Sequence, residues 1–319
     1  MVAIALPAGA AARIRIAVSC LWEVAASVRV LRNPGNHAVH LPWVTRVRPQ
    51  VADGLLWQLI QPAPAYFPDF LTPAPGGLVP DLDAELAVLR ATPAAAVRAD
   101  LDRYTGRHSP AVAELYTDPD AGLDRLVAEI REYWRIALAS DWPRIRLLLD
   151  AEVFQRSRRV AADGAAALLN DLHEHVRWAG ETLSIAQRHC TVGDVPAGGG
   201  LVLVPSVFAW PDVLSLAAGD TSQLAYPPRG IAKLWESARE ASSDVLGAVL
   251  GHGRARLLVA LRAPLSTTEL AGRTGMTIGG VSQHLAALRA AGLVVAQRHG
   301  RTVLNARTTV AEALLSAAT

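Results

Sequence analysis

Closely spaced helix-start and helix-stop residues near the C-terminal end of this 319-residue chain constrain its fold more than any other feature. Ser266 stands three residues before Glu269, which is the spacing of a capping box at a helix start. Gly275 supplies the left-handed residue that ends this first helix. Thr277 caps a second helix, and Gly292 ends it. Two short helices joined by a tight glycine turn predict a helix–turn–helix.

The second helix has two unlike faces. Apolar residues at helical spacing predict a stripe that faces a core: Val281, Leu285 and Leu288. The opposite face consists mostly of small and amide-bearing residues, and its members are Ile278, Gly279, Ser282, Gln283 and Ala286. Such a face suits the major groove of duplex DNA, where Gln283 can bond adenine through two hydrogen bonds. The alternative is a helix face that is merely solvated.

A β-hairpin is predicted directly after this helix. Two alternating runs, 293–298 and 301–305, flank the two-residue turn His299-Gly300. A basic hairpin tip beside a groove-reading helix can contact phosphates or the minor groove. The predicted DNA-contacting residues of the whole segment are Thr267, Thr268, Thr277, Ile278, Gly279, Ser282, Gln283, His284, Arg298, His299 and Arg301.

Charge is distributed unevenly along the chain. Residues 241–319 contain eight arginines and three acidic residues, whereas residues 1–240 contain 23 basic and 26 acidic residues. A basic segment attached to a slightly acidic body fits a polyanion-binding end and a body with another task. We therefore expect two domains: a body over 1–240, with possible effector-sensing and dimerisation roles, and a winged-helix DNA-binding domain over 241–319.

The predicted fold class is mainly α, with a helical N-terminal body that contains a small antiparallel β-sheet and a C-terminal winged helix–turn–helix. Apolar spacing predicts a helix over 21–31, Asp81 caps another over 82–90, and a long helix over 142–169 is broken at Asp163-Gly164. Strand-like runs lie within 185–230, at Leu201–Pro205, Val213–Leu216 and Gln223–Tyr226. A helix over 231–241 is expected to lead into the terminal domain.

Several site classes find no support in the sequence. Two cysteines, Cys20 and Cys190, form neither a disulfide framework nor a metal cluster. His173 and His175 do not share a helix face, and His189-Cys190 supplies two metal ligands at most. A nucleophile elbow and a phosphate-binding glycine loop are both lacking. We therefore expect no enzyme, no cofactor and no metal; the eight tryptophans fit a core better than an apolar pocket.

The terminal segment resembles the winged helix–turn–helix of ArsR/SmtB-type transcriptional regulators. The resemblance covers residues 243–308 and rests on 250–258, 268–271, Val281 to Leu288, Ala291 to Val294 and Gly300-Arg301. Metal sensors of that family place cysteines in the helix before the recognition helix, and Ser266 to Leu270 contains none. The body is similar to that of larger actinobacterial members, a likeness that transfers no function.

This resemblance implies a transcriptional regulator, most simply a repressor, with double-stranded DNA as its partner. It further implies a homodimer, and the length of the body allows for a small-molecule effector. No apolar run of 18 or more residues predicts a membrane span, so a cytoplasmic, nucleoid-associated protein is expected. The alternative is a winged-helix protein-interaction module that does not bind DNA in a sequence-specific way.

Overall fold

The computed structural model describes most of the chain in two compact units, residues 1–235 and 236–319. The described residues are 2–5, 13–61, 68–104, 109–186, 195–196, 200–218, 221–235, 246–261, 264–299 and 302–317. The protein is mainly α with small β-sheets.

Helices form most of the first unit. They are α1 Cys20–Arg32, α2 Leu41–Val47, α3 Leu55–Leu59, α4 Leu82–Arg90, α5 Ala94–Asp102, α6 Pro110–Thr117, α7 Pro119–Ala137 and α8 Trp142–Asn170. Four of them begin at a side chain that accepts a hydrogen bond from a backbone N–H of the first turn: Ser19, Asp81, Ser109 and Asp118. The predicted helix starts after Asp81 and at 142 are confirmed, as is the break in α8, where Gly164 has a φ of 79°.

In the described part of this unit, eight strands build two sheets. Their bounds are β1 Val2–Ala5, β2 Arg15–Ile16, β3 Val176–Ala179, β4 Thr182–Ile185, β5 Val195–Pro196, β6 Leu201–Pro205, β7 Leu214–Ala218 and β8 Thr221–Tyr226. One sheet has the order β3-β4-β1-β5 and the other the order β2-β6-β8-β7. The first of these sheets is not predicted by the sequence analysis, because its strands are short and come from distant parts of the chain.

The prediction that the sheet within 185–230 is antiparallel was wrong. Its strands lie where expected, but β6 runs parallel to both β2 and β8, and only β7 and β8 pair antiparallel. After β6 the chain forms β7 at the edge of the sheet, and β8 then lies between β6 and β7. Every residue of β6 is buried, which is typical of a strand covered on both faces within parallel pairs.

The expected helix over 231–241 was also wrong within its described part. Ile231–Lys233 form a single 3-10 turn after Gly230, whose φ is 84°. Leu234 is buried, and the Trp235 indole donates a 2.9 Å hydrogen bond to His40 Nδ1, so this segment is anchored in the core of the first unit. Residues 236–241 lie outside the described part of the chain.

Two buried carboxylates fix the N-terminal turn of α1. Glu85 accepts from the Ser19 hydroxyl at 2.6 Å and from the Cys20 N–H at 2.9 Å. Glu23 is fully buried and accepts from the Ser206 hydroxyl at 3.0 Å and the Val207 N–H at 2.8 Å. Removal from water raises the pKa of Glu23 to about 7 and raises that of Glu85 as well.

The second unit contains the predicted helix–turn–helix and hairpin. Residues 246–250 are helical, and the elements that follow are α9 His252–Ala260, β9 Leu265–Ser266, α10 Thr267–Thr274, α11 Ile278–Ala290, β10 Val294–His299, β11 Thr302–Arg307 and α12 Thr309–Ala317. The three strands form a sheet of order β10-β11-β9. A winged helix–turn–helix is thus present; β9 and α12 were not anticipated.

Candidate nucleic-acid interface

The predicted capping box is formed at the start of α10. The Ser266 hydroxyl accepts from the Glu269 N–H at 3.2 Å, and the Ser266 N–H donates to Glu269 Oε2 at 2.8 Å. The Ser266 N–H and the Ser266 hydroxyl both donate to Glu269 Oε2, and these two bonds hold the pKa of Glu269 below its usual range. Just beyond the cap, Thr267 is half-buried and Thr268 is exposed, so the two predicted contact residues begin a rigidly fixed helix.

The turn between the two helices has the predicted chemistry. Gly275 adopts a φ of 66°, the left-handed region that favours glycine, and ends α10. Thr277 then caps α11, because its hydroxyl accepts from the Gly280 N–H at 3.2 Å. The start of the second helix is therefore held by its own side chain, and the Thr277 residue itself is exposed.

Core packing sets the orientation of α11. Three residues are at most 1 % exposed and pack into the core of the second unit: Val281, Leu285 and Leu288. Four of the predicted DNA-contacting residues lie on the exposed surface of the same helix: Ile278, Gly279, Ser282 and Gln283. The predicted division of the helix into two faces is confirmed; what the exposed face touches remains a prediction.

His284 lies at the edge between these faces. It is half-buried, and a Cβ atom added to Gly253 of α9 would come within 2.5 Å of its Nε2 atom. The ring therefore packs closely against the backbone of α9, which positions α11 on that helix. A direct DNA contact by His284 stays a prediction.

Gly279 and Gly280 differ in what surrounds them. A Cβ atom added to Gly279 would meet nothing within 4 Å, whereas one added to Gly280 would lie 3.2 Å from the Thr277 hydroxyl. Packing within the protein thus requires no glycine at 279, although glycine costs a helix about 1 kcal/mol relative to alanine. Close approach of another molecule is a physical reason for glycine at this exposed position.

The hairpin is paired over its whole described length. Its register joins Val294 with Arg307 at one end and His299 with Thr302 at the other. The turn therefore falls one residue later than predicted, because His299 ends β10 and pairs with Thr302. Arg301 lies outside the described residues, while Arg298 is exposed and faces Val303 across the hairpin.

A third strand ties the hairpin to the helix–turn–helix. Leu304 and Asn305 of β11 pair with Ser266 and Leu265 of β9, and the buried Asn305 side chain donates to the Leu265 carbonyl at 3.3 Å. The same Ser266 caps α10. Ser266 thus connects the hairpin of β10 and β11 to α10. Sequence reasoning missed this connection because a two-residue strand has no periodicity.

Some arginines of this unit hold the fold. Arg307 donates to the carbonyls of Leu258 and Val259 at 2.7 and 2.9 Å, and Arg256 donates to the Thr274 carbonyl. Other arginines are exposed on the surface: Arg254, Arg273, Arg289 and Arg298. The second unit therefore presents several arginine side chains at its surface.

The imidazole pair of the first unit makes local contacts. His173 Nε2 donates to the Pro211 carbonyl at 3.0 Å, and His173 Nδ1 accepts from the His175 N–H at 3.2 Å. His175 Nδ1 lies 3.2 Å from Asp212 Oδ1. Across the described ranges, no group of three or more His, Cys, Asp or Glu residues could hold a metal ion. The pair His189-Cys190 lies outside those ranges.

Aromatic residues of the first unit pack on one another. The ring centroids of Trp43 and Phe208 are 4.5 Å apart, and Trp235 lies 6.0 Å from Phe208. His40 joins them, and burial lowers its pKa to about 3. These rings form part of the core, in line with the interpretation of the tryptophans as core residues. None of the helices described in the structure is long and apolar enough to cross a membrane.

The geometry of the second unit is that of a capped helix–turn–helix followed by a paired wing. Residues 252–295 match the family model described as bacterial regulatory protein, arsR family. This segment is an ArsR-type domain, as the resemblance implied, and it stands behind a long N-terminal extension. The match indicates a DNA-binding transcription regulator, and the matched family is a regulatory one rather than an enzyme family. Neither the curated proteins nor the solved structures yielded a match to the chain.

Proposed function

We propose that this protein is a transcriptional repressor that binds a two-part operator as a homodimer. The observation that carries the proposal is the exposed, uncharged surface from Ile278 to Gln283 at the start of α11, beside a hairpin with an exposed Arg298, within an ArsR-type domain. In such domains the N-terminal residues of the recognition helix contact base edges in the major groove. The cytoplasmic, nucleoid-associated location expected from the sequence belongs to this proposal.

Each contact has a distinct role. The Gln283 amide bonds adenine bidentately, and Ser282 reaches a base edge or a phosphate. Thr268 and Thr277, near the starts of their helices, contact the sugar–phosphate backbone. Arg298 and Arg301 neutralise phosphates, which gives affinity without sequence preference.

The homodimer is supported by exposed apolar side chains on the first and last described helical segments of the second unit. Val249 is 77 % exposed and Val310 is 61 % exposed. A small apolar cluster contains buried Leu246 and Leu315 from the same segments. We assign this surface to the second copy, which would set two half-sites about 34 Å apart, one turn of DNA.

The first unit is the proposed sensor. DNA binding needs only the ArsR-type domain, so the remaining 235 residues are available for a small molecule whose binding releases DNA. All eight tryptophans lie within residues 1–235, so their fluorescence reports on this unit alone. A melting screen by tryptophan fluorescence should find a metabolite that stabilises the protein and weakens its DNA binding. A ligand that stabilises without affecting DNA, or no ligand at all, would contradict the sensor role.

Selection of bound sequences from random duplex DNA at controlled salt tests the DNA-binding role. Wild type should enrich a palindromic site, and Gln283→Ala should lose about 1–3 kcal/mol of discrimination at one base position per half-site. Gln155→Ala, an exposed glutamine on α8, is the matched control and should behave as wild type. If no sequence is enriched, the domain acts as a protein-interaction module instead.

A further inference from the structure

We propose that Ile278 is a specificity-determining residue that reads the 5-methyl group of a thymine in each half-site. This inference rests on the proposed function, since it concerns how the same helix distinguishes one operator from another. It specifies a thymine in the operator, in addition to the adenine that Gln283 specifies.

Ile278 occupies an unusual place for a large apolar side chain. It is the first residue of α11, directly after the Thr277 cap, and it is 56 % exposed. The core of the second unit is already filled by the stripe that begins with Val281. Its apolar surface therefore has no partner in the described core, whereas the N-terminal turn of a recognition helix is the part that enters the major groove.

The neighbouring residue leaves this side chain accessible. Gly279 has no Cβ atom, and an added one would meet nothing within 4 Å, so no side chain at position 279 screens Ile278. Thr277 is exposed and its hydroxyl is turned to its own helix by the bond to the Gly280 N–H. A base edge can thus approach the isoleucine methyl groups directly.

The chemistry of the exposed surface restricts which bases α11 can read. Guanine is read by arginine or lysine, and the cytosine amino group by aspartate or glutamate. From Thr277 to Leu288 the only titratable side chain is that of His284, which packs against Gly253. Ser282 can contact a base edge without singling out one base, so the groups on this stretch that select a base are the Gln283 amide for adenine and an apolar contact for the thymine methyl group. The helix is therefore suited to A·T base pairs.

Ile278 and Gln283 must read different base pairs. They are five residues apart, which is about 7.5 Å along a helix axis, whereas successive base pairs are about 3.4 Å apart. Contributions from separate base pairs are roughly additive. Removing the Ile278 contact should therefore abolish one base preference and leave the adenine preference intact.

The test replaces each thymine of the selected half-site, one at a time, by deoxyuridine, which lacks only the 5-methyl group. With wild type, one position per half-site should weaken binding about fourfold, the factor that burial of one methyl-sized group gives. Ile278→Ala should bind the thymine duplex about fourfold more weakly than wild type does. Its affinity should not change further when that thymine is replaced by deoxyuridine. Ile278→Val, which keeps branched methyl groups, should retain the response.

Val88→Ala is the matched control, because Val88 is also 56 % exposed but lies on α4 of the first unit. This variant should respond to deoxyuridine as wild type does. Specific binding without any methyl-sensitive position, or with equal sensitivity in wild type and Ile278→Ala, would overturn the inference while leaving the proposed function in place. A selection that enriches no duplex sequence would contradict both the inference and the proposed function.

Discussion

Glu23 should make the stability of the first unit fall as pH rises from 4.5 to about 7. Burial raises its pKa to about 7 from an ordinary value of 4.5, despite hydrogen bonds from Ser206 and from the Val207 N–H. Between these two pH values the folded protein holds a proton that the unfolded chain has released. Folding therefore takes up a proton in this window, and each pH unit of increase costs about 1.4 kcal/mol.

The expected size of the effect follows from this window. From pH 4.5 to about 7, the loss accumulates to about 3 kcal/mol; it is absent below the window and complete above it. Glu23→Gln cannot ionise, so its stability relative to wild type should rise by that amount across the window. His37 and His40 shift stability in the opposite sense, because burial lowers their pKa values, but both are present in either protein and cancel in the difference.

The assay is urea unfolding of the full chain, followed by tryptophan fluorescence, at pH values from 4.5 to 8.5. Because every tryptophan lies within residues 1–235, unfolding of the second unit does not contribute to the signal. Glu181→Gln, at an exposed turn between β3 and β4, serves as a control and should show the pH dependence of wild type. Identical pH profiles for wild type and Glu23→Gln would refute the reasoning.

Two further predictions concern the second unit. Gly279→Ala and Gly272→Ala both place a methyl group in open space on a helix, so each should raise helix stability by about 0.5–1 kcal/mol, measured by amide hydrogen exchange. Only Gly279→Ala should weaken DNA binding; equal DNA affinities would rule out close approach at 279. Arg298→Ala should weaken binding to all DNA sequences alike. It should also lower the slope of log affinity against log salt concentration by about one, whereas Arg135→Ala, exposed on α7, should leave that slope unchanged. A sequence-dependent loss would assign Arg298 to base reading.

The helix–turn–helix could be predicted closely because its determinants are local. The capping box of Ser266 and Glu269, the left-handed Gly275 and the Thr277 cap each act within three or four residues. The spacing from Val281 to Leu288 defined the buried face without further information. The predicted contact residues from Thr267 to His284 lie on these well-defined elements, although their partners are not part of the fold.

The sheets of the first unit could not be predicted to the same extent, because their pairings are distant in sequence. Strand β2 is two residues long, and its partner β6 follows almost 190 residues later. The uninterrupted apolar run Leu201–Pro205, which is buried throughout in the structure, was a sign of parallel pairing. In a strand with one solvated face, apolar and polar residues alternate instead. The two-residue strand β9 escaped prediction for a similar reason, as its partner β11 alone defines it.

The bonds between α1 and the segment after β6 determine when the first unit can become stable during synthesis. Glu23 bonds Ser206, and Trp22 donates to Gln223 at 2.8 Å, so one of the earliest helices is completed by some of the latest residues of its unit. Such long-range closure slows folding and leaves apolar surface uncovered until the ribosome has passed residue 226. The second unit, whose bonds from Asn305 to Leu265 and from Arg307 to Leu258 join residues 40 and 49 positions apart, is translated afterwards. A nascent chain therefore has the residues for the long-range bonds of its first unit before its ArsR-type domain has been made.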